Sequence, residues 1–155
     1  MQIHLIAVGN RLPDWVNKGY DEYARRLSGE CTLRLVEIAT ARRNRKGDAR
    51  RPKEEEGKRI LKALPKGCLV GALEVGGEYW STAKLADRLE GWLGSGADVA
   101  LLVGGPDGLS EECRQRADFT WSLSPLTLPH PLVRIVIAEQ IYRAWTIHTG
   151  HPYHR

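Results

Sequence analysis

Short apolar runs of strand length, each followed by a stretch with helical spacing, constrain this chain more than any other feature. "IHLIAVG" (3–9) and "ADVALLVGG" (97–105) are almost continuously apolar, which a strand buried on both faces requires. "TLRLVEI" (32–38) alternates, "CLVGALEV" (68–75) is a further strand, and "DFTWSLS" (118–124) a fifth. Between them, residues 13–27 place Trp15, Tyr23 and Leu27 at helical spacing, with Pro13 suited to a first turn. Pro52 and Glu54 to Glu56 open a second helix with acids in its positive first turn, and Glu54 and Glu55 precede Lys58 and Arg59 by four residues. A third helix at 81–93 carries Leu85, Leu89, Trp92 and Leu93 on one stripe. Ser110 caps a short helix with Glu111 and Glu112 in its first turn, and 131–149 forms a long last helix. This order predicts an α/β fold, a mostly parallel sheet with helices on both faces. At 155 residues, with no repeat or linker, the chain reads as a single domain over 1–155.

Cys31, Cys68 and Cys113 are far apart and never in a CxxC pair, so they suit neither a disulfide framework nor a zinc ribbon. That usage, and the absence of a leader-like start or a run of membrane-spanning length, predicts a soluble cytoplasmic protein. Charge is concentrated rather than spread. The net charge is +4, yet in "RRNRKGDARRPK" (42–53) seven of twelve residues are Lys or Arg. Such a block is either a solvated loop or the footprint of a phosphate-backbone partner, and its arginine density favours RNA. Arg42, Arg43, Arg45, Lys46, Arg50 and Arg51 are the candidate RNA contacts.

Parallel sheets bind ligands beyond the carboxyl ends of their strands. "LEVGGEYW" (73–80) and "VGGPDGLS" (103–110) both lie at such ends. The second has neither GxGxxG spacing nor a GK[ST] ending, which excludes the ordinary dinucleotide and P-loop sites. "SLSPLTLPHPLVR" (122–134) is as apolar as a core segment, yet Pro125, Pro129 and Pro131 deny it regular hydrogen bonding. Together with Gly104 and Gly105, whose bare backbone admits a close approach, Leu123, Leu126 and Leu128 could grip a flat apolar surface. An adenine ring with a thioether or sulfonium tail suits such a place.

The order "LLVGGPDGLS…WSLSPLTLPHPLVRIVIAEQIYRAW…HPYHR", with "AVGNRLPDWV" (7–16), resembles the SPOUT class of S-adenosylmethionine-dependent RNA methyltransferases over essentially the whole chain. More narrowly it is similar to the ribosomal RNA large subunit methyltransferase H family, which acts on N3 of a pseudouridine. The resemblance implies a C-terminal trefoil knot and S-adenosylmethionine bent among the knot's loops. It assigns the cofactor contacts to Leu73, Gly104, Gly105 and the run Leu123, Ser124, Pro125, Leu126, Thr127 and Leu128. Pro125 departs from the pattern by lacking an amide donor. The resemblance also implies a homodimer, for which a last helix apolar nearly all round is suited.

The tail "HTGHPYHR" spaces three histidines evenly, but Gly150 and Pro152 break any shared face, so no metal is expected. A frayed end is the ordinary fate of such a tail. Tyr153, His154 and Arg155 nonetheless offer stacking, proton exchange and phosphate pairing, and the resemblance brings them to the substrate site, across the dimer interface. A uracil-type N3 must lose its proton before it attacks a methyl group. His154 is the leading base, with Arg155 and Arg134 as charge stabilisers and His130 as an alternative base; His4 reads as a satisfied strand residue. Two other readings stay open: a SPOUT enzyme with a different RNA target, and a non-catalytic RNA-binding factor in ribosome assembly.

Overall fold

The computed structural model describes residues 1–43 and 47–155; Arg45 and Lys46 of the basic segment lie outside the described residues. Its centre is a parallel sheet of β1 (Gln2–Val8), β2 (Thr32–Ile38), β3 (Leu69–Tyr79), β4 (Val99–Val103) and β5 (Phe119–Ser122). The strand order is β2-β1-β4-β3-β5. The two-residue period of a strand divides its apolar side chains between two cores. Ile3 and Leu5 of β1 face a layer made by α1 (Asp14–Ala24), α3 (Thr82–Ser95) and α5 (His130–Thr149), where Leu85, Leu89, Ile137 and Ile141 are buried. Ile6 and Val8 face the opposite layer, α2 (Arg50–Lys62) and α4 (Glu111–Arg116), with Ile60 and Cys113. The expected α/β class is therefore the observed one.

Two helices differ from their sequence reading. On α1 the buried residues are Val16 and Tyr20, and Trp15 is 56% exposed. Tyr23 and Leu27 do pack against the core as their spacing suggests, and only Trp15 is displaced, its place on the inward stripe taken by Val16. Helix α2 begins at Arg50 rather than at the acids, so Pro52 falls in its first turn and Glu54 to Glu56 are further in. Pro52, Glu56 and Ile60, spaced by four, form its buried face. A carboxylate has thereby been placed on the inner side of a helix, where it needs a partner. Ser110 caps α4 as expected, accepting from the Cys113 amide, and Ser81 caps α3 in the same way through the Lys84 amide, each contact being worth about 1 kcal/mol.

Strand β3 runs on to Tyr79, beyond its expected end. Trp121 of β5 pairs with both Leu73 and Glu78, so residues 74–77 arch out of the sheet between them. Gly77 permits this, because a β-carbon there would meet the backbone of Trp121 at 2.9 Å.

Candidate active site

Three segments enclose a cavity of about 780 Å³ beyond the carboxyl ends of β3, β4 and β5. The β3 arch supplies Leu73, Glu74, Val75 and Gly76, and the turn after β4 supplies Gly104, Gly105, Pro106, Gly108 and Leu109. The third wall is the proline-stiffened loop after β5, through Leu123, Ser124, Leu126, Thr127 and Leu128. Helix α5 closes the base with His130 and Val133. Eight of the nine expected cofactor residues therefore converge; Pro125 alone is not in the wall. The loop's apolar character is explained by this position, although it is not buried by protein: Leu126 is 69% exposed. Its polar contacts are local, with Ser122 Oγ donating to the Ser124 carbonyl and the Leu126 amide to Ser124 Oγ.

The arch and several further wall residues are absent from the sequence reading. Arg114 pairs with Glu74 and ties α4 to the arch. The paired glycines at 76 and 77 were the available signal, since glycine inside a strand marks a bulge. Gly104 is needed by the protein itself: a β-carbon there would lie 2.4 Å from the Gly108 carbonyl carbon. The turn it opens is closed by the Gly108 amide donating to the Gly105 carbonyl over 3.0 Å.

Arg134 corrects its expected role. It is fully buried, and its guanidinium donates to Glu37 Oε2 at 2.8 Å and to the Gly9 carbonyl at 2.7 Å. The side chain thus straps α5 to the ends of β1 and β2 and is spent before it can reach a substrate. His130, one turn earlier, faces the cavity. Burial, and then the charge of Arg134, hold its pKa below the usual imidazole value, so the ring is neutral near pH 7. Its Nδ1 has no hydrogen-bond partner among the described residues.

Arg43 is likewise not a free cation. It donates to both carboxylate oxygens of Glu56, at 2.8 and 2.9 Å, and through Nε to Asp107 at 2.9 Å. Glu56 is 1% exposed and also accepts from the Ala41 amide. Losing Arg43 would strand a buried carboxylate, a change that costs about 3–5 kcal/mol. Arg42, Arg50 and Arg51 are exposed, and Arg50 pairs with Asp48.

The tail packs against its own chain. Tyr153 packs on Tyr142 with ring centroids 4.6 Å apart and tilted by 55°, lies under the Arg143 guanidinium and donates its hydroxyl to Glu139 Oε1 at 3.1 Å. His151 caps the final 3-10 turn, Pro152–His154, by accepting from the Tyr153 amide. His154 Nδ1 is buried with no partner among the described residues. The cavity touches the first turn of α5, whereas the tail follows its last. The tail turns back along the helix, so Tyr153 meets Glu139, Tyr142 and Arg143, six to ten residues beyond the cavity residue Val133, about 9–15 Å of axis at 1.5 Å per residue. The structure therefore does not bring Tyr153, His154 and Arg155 to the cavity of their own chain. Among the described residues no group of His, Cys, Asp and Glu side chains could hold a metal ion.

Residues 1–154 match the family model described as "Predicted SPOUT methyltransferase". The chain belongs to the SPOUT methyltransferase family. It is 59% identical, over 100% of its length and 99% of the relative's, to the ribosomal RNA large subunit methyltransferase H of Thioalkalivibrio sulfidiphilus. The protein of that name from Methylococcus capsulatus is 57% identical, with both chains fully covered. A probable methylase family protein from Haemophilus influenzae shares the fold at a TM-score of 0.55, with 13% identity over 99% of this chain and 70% of that one. Membership implies the trefoil knot and brings the cofactor expected above. A SPOUT methyltransferase uses S-adenosylmethionine, and the cavity fits it: the volume is that of a small-molecule site, the walls are leucine-rich, and a turn of bare backbone lines one side.

Proposed function

We propose that this chain methylates N3 of a pseudouridine in large-subunit ribosomal RNA, as a homodimer in which each tail completes the partner's cavity. The observation that carries the composite site is the separation of cavity and tail along α5. Tyr153, His154 and Arg155 line no part of their own chain's cavity, which supports a tail that serves a neighbour's. Exposed Trp15 on α1, and Leu132 and Ile147 on α5, give that helical layer an apolar outer surface for a second copy. The relatives' name supports the ribosomal RNA target.

When bound, S-adenosylmethionine supplies an activated methyl group. The chain's own residues hold and aim it: the loop from Leu123 to Leu128 and the β3 arch grip from two sides, and the Gly104–Gly108 turn presents backbone amides and carbonyls. Positioning of this kind supplies much of the acceleration for an in-line displacement. The N3 proton leaves to His154 of the tail, or to neutral His130 at the cavity floor. Arg155 stabilises the developing anion. Exposed Arg42 and Arg51, with Arg50, contact RNA phosphates. No described helix is long and apolar enough to cross a membrane, and three free, buried cysteines suit a reducing cytoplasm.

The test compares methyl incorporation from labelled S-adenosylmethionine into large-subunit RNA carrying pseudouridine or uridine at the same position. Incorporation into the pseudouridine RNA alone is expected. Equal labelling of both transcripts would redirect the reading to another base, and cofactor binding without transfer to either would leave only an RNA-binding role.

A further inference from the structure

The base of the basic segment and the cofactor turn are joined through one side chain. Arg43 lies between them, with its fork on Glu56 of α2 and its Nε on Asp107. Asp107 belongs to the closed turn whose neighbours Gly105, Pro106 and Gly108 line the cavity, but its own side chain is not in the wall. It points instead to Arg43, and Arg43 Nη1 also donates to the Ala41 carbonyl at 3.1 Å. Glu56 anchors the arrangement from below, since it is buried and accepts from the Ala41 amide at 3.0 Å. The path from cavity to basic segment is thus continuous and made of charge-assisted hydrogen bonds, the strongest and most directional available to side chains.

We propose that Arg43 is a positioning residue that couples the two binding regions: cofactor seated against the Gly105–Gly108 turn fixes Asp107, Asp107 fixes Arg43, and the neighbouring exposed Arg42, Arg50 and Arg51 are held ready for RNA. The inference rests on the reading of the cavity as the cofactor site and of the segment as an RNA contact. Coupling between two binding sites is reciprocal, so RNA must tighten cofactor binding by the same factor. Discrimination follows as well, because a chain without cofactor would hold its RNA less firmly.

The experiment measures RNA affinity by fluorescence anisotropy on a labelled large-subunit rRNA fragment, with and without saturating S-adenosylhomocysteine, which cannot react. In the unmodified protein the affinity should rise about 5-fold or more with the ligand, the lower end of ordinary coupling. Asp107→Asn removes the charge from the half-exposed end of the path and leaves the buried Arg43–Glu56 pair intact, so the fold is retained. Its ratio should fall toward one, with RNA affinity in the absence of ligand unchanged; Asp107→Glu should restore part of the ratio. A purely structural role would lower both affinities and keep their ratio. A wild-type ratio in Asp107→Asn overturns the coupling, and so does ligand binding with RNA affinity unmoved in the unmodified protein. Failure of the unmodified protein to bind S-adenosylhomocysteine at all would overturn the reading of the cavity, and the coupling with it.

Discussion

Gly105 faces Glu56: a β-carbon at position 105 would lie 3.2 Å from Glu56 Oε1 and 2.9 Å from Val8 Cγ1. The glycine lines the cavity with its backbone while its missing side chain would have pointed into the protein. Substitution at 104 or 105 consequently disturbs packing first and ligand second. Gly104→Ala, whose new methyl would meet backbone that cannot yield, should lower stability by about 1–3 kcal/mol. Denaturant unfolding with an unchanged m-value checks this. An unshifted midpoint would show that the turn has room to relax.

Gly76 offers the cleaner probe of the cavity. It lies in the wall, and a β-carbon there would meet no protein atom within 4 Å. Gly76→Phe should therefore reduce S-adenosylmethionine affinity by about tenfold or more, roughly 1.4 kcal/mol, with thermal unfolding unaltered. Calorimetry gives the affinity, and undiminished binding would place the cofactor away from the arch.

For the basic segment, the useful variants are those that leave the Arg43 network alone. Arg42→Gln with Arg51→Gln removes two exposed cations. The slope of log affinity against log salt for RNA should fall by about 1.4, at roughly 0.7 per single-strand phosphate contact. A slope identical to that of the unmodified protein would make these arginines solvated surface.

His130 gives a pH signature. Its folded pKa lies below the ordinary value, through burial and then the nearby Arg134 charge. Above about pH 6.5 the ring is neutral in both folded and unfolded chains and contributes nothing. As pH falls below that value the unfolded chain takes up the proton first, so stability declines toward the folded pKa. His130→Asn should flatten this part of the acid limb in urea unfolding series at pH 7, 6 and 5; parallel curves for the two proteins would contradict the shift.

Deleting Tyr153, His154 and Arg155 should abolish methyl transfer while leaving cofactor affinity nearly intact, because none of the three lines the cavity. Mixed with a Gly76→Phe chain, itself weakened in cofactor binding, and at a cofactor concentration that leaves that variant's own cavity largely empty, the truncated chain should regain part of its activity. One half of the mixed dimer then combines an intact cavity with an intact tail. A verified heterodimer without activity would argue that the tail serves its own subunit.

Much of the architecture was legible because alternation of apolar runs and helical stripes is a local property. β2 is found over the residues that its alternation marked, and eight of the nine residues expected to contact cofactor line one cavity. What escaped depended on distant partners. Glu56 looked like one of three acids serving a helix start, and only the position of Arg43, brought in from outside α2, makes it a buried anchor. Arg134 looked available for catalysis until Glu37 and Gly9 claimed it. An acid spaced by four from Pro52 and Ile60, beside an arginine-rich segment, was the readable clue to the first. Nothing in the spacing of residues around Arg134 announces the second.

The all-parallel sheet also sets the order in which the chain can assemble. Ile3 of β1 pairs with Val99 of β4, and β3 reaches β4 only through the same late segment. Parallel neighbours cannot be joined by a tight hairpin, so each pairing waits for a long crossover. During synthesis the first strand can find β2, but its other edge stays open until most of the polypeptide has been made. Closing such distant pairs carries the loop entropy before the contacts compensate it, which slows folding. An unpaired, almost wholly apolar β1 is therefore the segment that a nascent chain most needs to shield from association.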